Sequence, residues 1–94
     1  MKIQFIKSIA DIPWDERNPI ALEKHRGKVA RIQSSRGRSL MIVLPCGHHS
    51  DIDGWDIKDI DTDHPSATPS IFCYGTENKP CWHGYLTNGE LVSV

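Results

Sequence analysis

Long apolar runs, an even set of cysteines and a dense aromatic complement are all missing from this chain of 94 residues. No stretch approaches the roughly 20 apolar residues that a bilayer-spanning helix needs, which excludes membrane insertion of that kind. Three cysteines are an odd number, so a fully paired disulfide framework within one chain is impossible. The stretch Met1-Lys2-Ile3-Gln4-Phe5-Ile6-Lys7 has no continuous apolar segment of signal-peptide length, and the chain reads as cytoplasmic, where thiols stay reduced and open to metal. Internal repeats, coiled-coil heptads and low-complexity tracts are also lacking. So are His-Glu-x-x-His and the deaminase pattern of His-x-Glu with Pro-Cys-x-x-Cys, which speaks against the common zinc hydrolases.

What is present fits one small folded domain spanning residues 1–94. Hydrophobic residues make up 38% of the chain and the mean hydropathy is -0.41, so the interior is modest and a bound metal would offset the shortfall. Charge is unevenly placed. Residues 1–40 hold nine Lys or Arg against four Asp or Glu, and residues 41–94 hold two against eight. Two such halves either attract each other within the fold or offer faces of opposite sign to partners.

The pattern along the chain predicts a mainly β, α+β architecture of five to seven short strands in an antiparallel sheet of hairpins, with one short helix. Ile3, Phe5 and Ile9 alternate with polar residues over Lys2–Ile9 and suggest a half-buried strand. Asn18 as cap and Pro19 as first helical residue predict a helix over residues 19–24, ended by Gly27. Residues 28–33 alternate, residues 34–39 turn, and Leu40-Met41-Ile42-Val43-Leu44 is a continuous apolar run. Together they predict a hairpin whose second strand is central and buried. An edge strand is expected around Trp55–Ile57, a proline-bracketed loop over 64–69 and a short strand over 70–74. Asn88-Gly89 predicts a two-residue hairpin turn between 82–87 and 90–94, because that pair tolerates positive φ.

The chemistry-bearing residues form two Cys-x-His pairs, Cys46/His48 and Cys81/His83, 35 positions apart. In an extended strand, side chains at i and i+2 leave the same face, so each pair could act as a clamp. Two sulfurs and two nitrogens are a ligand set that tetrahedral Zn2+ favours. Cys73, eight positions before Cys81, and His49 compete for places in that set, since thiolate is the better structural ligand. Four protein ligands would make the site closed and structural, whereas three plus water would support hydrolysis. For that hydrolase alternative, Asp51, Asp53 or His49 would serve as general base.

A second candidate is the basic stretch Lys24, Arg26, Lys28, Arg31, Arg36 and Arg38, suited to a nucleic-acid backbone or an acidic protein. Aromatic residues do not interleave with these charges, which weakens the nucleic-acid reading. Asp59-Ile60-Asp61-Thr62-Asp63 begins like a calcium-binding loop, but His64 and Ser70 stand where glycine and glutamate are needed. A solvated acidic face is the better account.

Leu44-Pro45-Cys46-Gly47-His48, Thr68-Pro69-Ser70-Ile71 and the run from Cys81-Trp82-His83 to Asn88-Gly89 together resemble a family of small zinc-binding proteins of phages and bacterial mobile elements. That family carries Cys-Gly-Cys, a Ser-Pro-Ser-Ile-like strand and a Cys-x-x-His hairpin with Asn-Gly in this order, and some members sit beside ubiquitin-like conjugation genes. The similarity covers roughly residues 28–94 and supports a shared fold more than a shared task. Two departures stand out. His48 replaces the second cysteine, and Cys81 precedes His83 by two residues instead of three, which leaves Cys73 as a substitute ligand. The resemblance implies a phage or prophage origin, and the expectation set beside it is an accessory protein that binds a host protein or other host macromolecule, as an inhibitor or in counter-defence, rather than an enzyme.

Overall fold

The structure is a computed structural model in which residues 1–14, 22–73 and 81–94 are described. Among these residues lie eight strands: β1 (Gln4–Phe5), β2 (Lys28–Ser34), β3 (Gly37–Val43), β4 (His49–Asp51), β5 (Asp56–Lys58), β6 (Ser66–Cys73), β7 (Trp82–Thr87) and β8 (Glu90–Ser93). They form two four-stranded sheets, ordered β1-β2-β3-β4 and β5-β6-β7-β8. Every pairing is antiparallel except β1 with β2, which is parallel. The mainly β expectation therefore holds, with two sheets where the pattern suggested one.

The apolar run before Pro45 is central because it is covered on both sides. Leu40, Ile42 and Leu44 join Ile3, Val29, Ile52, Ala67, Ile71, Trp82, Leu86 and Leu91 in the main core between the sheets. Val43, of opposite parity, packs against Ile12 and Leu22 in a second, smaller cluster flanked by Trp14. A strand buried on both faces loses the polar alternation of a surface strand. Each fully buried Leu or Ile stabilises the fold by roughly 1.5–3 kcal/mol, so β3 contributes more than any exposed strand of equal length.

Hairpin boundaries follow local chemistry. The β7–β8 turn falls at Asn88 and Gly89, with φ of 51° and 80° as the two-residue turn requires. The β2–β3 hairpin is tighter than the polar spacing suggested. Ser34 pairs directly with Gly37, and Ser34 Oγ accepts from Arg36 N at 3.1 Å, so the turn shrinks to two residues. The strand expected over 70–74 starts earlier, at Ser66, and passes an irregularity between Ala67 and Ile71 that contains a cis Thr68–Pro69 bond. Proline is tolerated there because a bulge leaves its missing N–H outside the ladder.

The strand expected over residues 2–9 is short. It gives way to a 3₁₀ turn at Ile9–Asp11, capped reciprocally by Ser8 and Asp11. Most of the helix expected over residues 19–24 lies outside the described residues; Leu22 and Glu23 have helical backbone and the chain then turns through Gly27. Residues 1–5 also stitch the sheets together. Met1 and Leu91 exchange backbone bonds of 2.9 Å and 2.7 Å, Ile3 N donates to Gly89 O at 3.0 Å, and Gln4 then enters the first sheet beside Lys28. No helix among the described residues is long and apolar enough to cross a membrane.

Candidate metal centre

The β3–β4 connection folds into a knuckle. Gly47 N donates to Leu44 O at 2.8 Å and Leu44 N to His48 O at 2.7 Å, closing a turn with Pro45 and Cys46 at its tip. Gly47 has φ +90°, where a Cβ would be strained. Cys46 and His48 do share a side, as expected, but a turn and not strand alternation brings them there. Cys46 Sγ lies 3.5 Å from His48 Nδ1.

The second half of the site comes from the other sheet. Cys73 is the last residue of β6 and shares the inward face with Ile71, since strand side chains alternate. Cys81 lies just before β7, where its N–H donates to Cys73 O at 2.8 Å. The ligand atoms of Cys46, His48, Cys73 and Cys81 all lie within 4.8 Å of one another and could hold a metal ion. Cys73 Sγ is 3.4 Å from His48 Nδ1. Cys46, His48 and Cys73 are half-buried and Cys81 is exposed.

His83 is not in this group, which corrects the expected set of Cys46, His48, Cys81 and His83. Register explains the change. His83 pairs with Phe72 and Trp82 with Cys73, so His83 points to the outer face while Cys73 points inward. Its Nε2 sits 2.9 Å from Ser70 Oγ, and its ring meets Phe72 edge-on at 5.0 Å. The i, i+2 argument fails for Cys81 and His83 because Cys81 precedes the strand and is free of its alternation. The signal for Cys73 was its parity with Ile71 in a predicted strand. His49, the other competitor, is stacked on Trp14 with ring centroids 5.7 Å apart, away from the four.

The electrostatics are those of crowded thiols. Burial pushes the Cys46 thiol up from 9.0 to about 12; the His48 backbone N–H opposes that, and the neighbouring Cys81 and Cys73 side chains add to it. A divalent cation among the sulfurs would reverse this balance by favouring thiolate.

The basic stretch lies at the surface, and most of its cations have partners within the chain. Arg31 Nε and Nη2 donate to Ile60 O at 2.8 Å and Thr62 O at 2.9 Å, and its guanidinium lies 3.7 Å over the Phe5 ring. Arg38 pairs with Asp61. Arg26 reaches Glu23 at 3.7 Å, and Lys28 Nζ lies 3.0 Å from His25 Nδ1. Lys24, Arg26, Arg31, Arg36 and Arg38 are all exposed and Lys28 is half-buried. The acidic half thus partners Arg31 and Arg38, and the 59–63 loop aims two carbonyls at a guanidinium rather than at a metal ion. The candidate bases are also engaged: Asp51 accepts from Ser39 Oγ and Asp53 N, and Asp53 accepts from Ser34 Oγ.

Comparison with protein-family models, with curated proteins and with solved structures returned no match for this chain.

Proposed function

We propose that the chain is a zinc-stapled β domain that acts by binding a host protein, with the ion structural and the outer face of the second sheet as the contact surface. The observation that carries the metal half is the spacing of the four donors. Zinc bonds of about 2.3 Å to sulfur and about 2.0–2.1 Å to nitrogen imply sulfur–nitrogen edges of about 3.5 Å in a tetrahedron. The two separations to His48 Nδ1 are 3.5 Å and 3.4 Å. Three thiolates and one imidazole are a closed structural set, with no position reserved for an activated water. This favours a staple over a hydrolase.

The binding half rests on the surface of β6, β7 and β8. Phe72, Tyr85 and Val92 are 39%, 45% and 46% exposed, with Tyr85 directly opposite Val92 and Phe72 opposite His83. These three strands contain no Lys or Arg, so their face suits an uncharged protein surface better than a phosphate backbone. With Arg31 and Arg38 committed internally, the nucleic-acid alternative loses two of its six cations. The host setting rests on the resemblance to phage proteins, and a role in inhibition is part of this proposal.

The test has two arms. Elemental analysis of untagged protein is expected to find about one zinc per chain, and metal-free material that refuses zinc would refute the staple. Capture from host lysate is expected to yield one stoichiometric protein that is lost in a Tyr85→Arg variant retaining its zinc. Salt-sensitive retention of DNA or RNA, reduced by Arg36→Ala, would instead support the nucleic-acid reading.

A further inference from the structure

The four candidate ligands differ in their exposure to solvent. Cys81 is the exposed one, while Cys46, His48 and Cys73 are half-buried. A peroxide arriving from solvent therefore meets the Cys81 sulfur first, and access is one of the two factors that govern thiol oxidation. Thiolate character is the other, and a bound zinc ion supplies it by holding the sulfur deprotonated. The Cys46 sulfur lies within 4.8 Å of both the Cys81 and the Cys73 sulfurs. It also belongs to the opposite sheet from Cys81, so a bond between the two would cross the same gap that the metal crosses.

We propose that Cys81 is an oxidation site and that peroxide converts the metal staple into a Cys46–Cys81 disulfide, a reading that rests on zinc occupying the four-residue site. The chemistry balances without any further reagent. The Cys81 thiolate attacks one peroxide oxygen and becomes a sulfenic acid, releasing hydroxide. The Cys46 thiolate then attacks the Cys81 sulfur, forming the S–S bond and expelling the second hydroxide. Two electrons pass from the two sulfurs to the peroxide. The ion, left with only Cys73 and His48, dissociates. A reducing dithiol restores both thiols by exchange, and zinc can then rebind. The tie between the sheets thus persists in both states, by metal in one and by sulfur in the other.

Hydrogen peroxide added to the zinc-loaded full chain tests this, with zinc release followed by a chromogenic chelator and disulfides mapped by peptide mass spectrometry after alkylation. The expected result is about one zinc released per chain together with a Cys46–Cys81 disulfide, both reversed by dithiothreitol and added zinc. Peroxide is expected to form the Cys46–Cys81 bond in Cys73→Ser as well, although that variant holds little zinc, and to leave Cys81 as a dimedone-reactive sulfenic acid in Cys46→Ser. A Cys73–Cys81 bond, a Cys81 that runs on to sulfinic acid unpaired, or zinc retained with Cys81 unmodified would overturn the proposal. If the chain takes up no zinc, the staple itself fails, and mapping the disulfide in that metal-free sample still decides the pairing.

Discussion

At the residue scale, Cys73 and His83 make opposite predictions from one strand pair. Cys73 points inward to the candidate site, while His83 points outward to Ser70. Cys73→Ser is expected to reduce bound zinc to well under one per chain, and His83→Ala to leave the metal content unchanged, both read by elemental analysis. The reverse result would restore the ligand set suggested by the Cys-x-His spacing. Arg31 gives a second case. It makes two carbonyl hydrogen bonds and lies over Phe5, so Arg31→Ala is expected to destabilise the fold by about 1–3 kcal/mol in urea unfolding. A change within error would mean that these contacts are solvated ornaments.

At the element scale, the β7–β8 hairpin shows why one glycine cannot be replaced. A Cβ on Gly84 would lie 2.3 Å from Val92 O and 2.4 Å from the Trp82 ring, because the Trp82 indole folds back over that position. Its Nε1 meanwhile donates to Ser93 Oγ at 3.0 Å. Gly84→Ala must therefore move either the indole or the neighbouring strand, at an expected cost of about 2–3 kcal/mol by chemical denaturation. This hairpin was legible from the sequence, since Asn88-Gly89 and the alternation on either side are local signals. The buried β3 was equally legible from its uninterrupted apolar run. The early start of β6 was not, because Pro65 and Pro69 read as loop punctuation until a bulge accommodates them. The division into two sheets was not legible either: hairpin signals show which neighbours pair, and carry nothing about where one sheet ends and the next begins.

At the scale of the whole molecule, the two sheets share one core and also meet at the N-terminal seam and at the cysteine cluster. Residues 1–3 bridge to β8 by backbone bonds, and the Cys46/His48 knuckle meets Cys73 and Cys81. Removing metal with a chelator is expected to lower the thermal midpoint, and re-adding zinc to restore it, as ligand linkage requires. The pH dependence has a definite sign. Cys46 holds its proton more firmly in the metal-free fold than an ordinary thiol, so loading must expel protons, and affinity rises with pH. Lowering the pH from about 8 to about 5 is expected to release the ion, followed by chelator absorbance. Metal retained through that range would mean a different ligand set.

The strand content, the central position of residues 40–44, the Asn-Gly hairpin and the candidacy of Cys46, His48 and Cys81 as metal ligands were all written in the sequence, because each depends on a local pattern or on residue chemistry. The replacement of His83 by Cys73, the retreat of His49 to Trp14 and the internal use of Arg31 and Arg38 were decided by tertiary structure alone. Register assigns each side chain to a face, and a strand that begins one residue after Cys81 sends the following histidine to the other side.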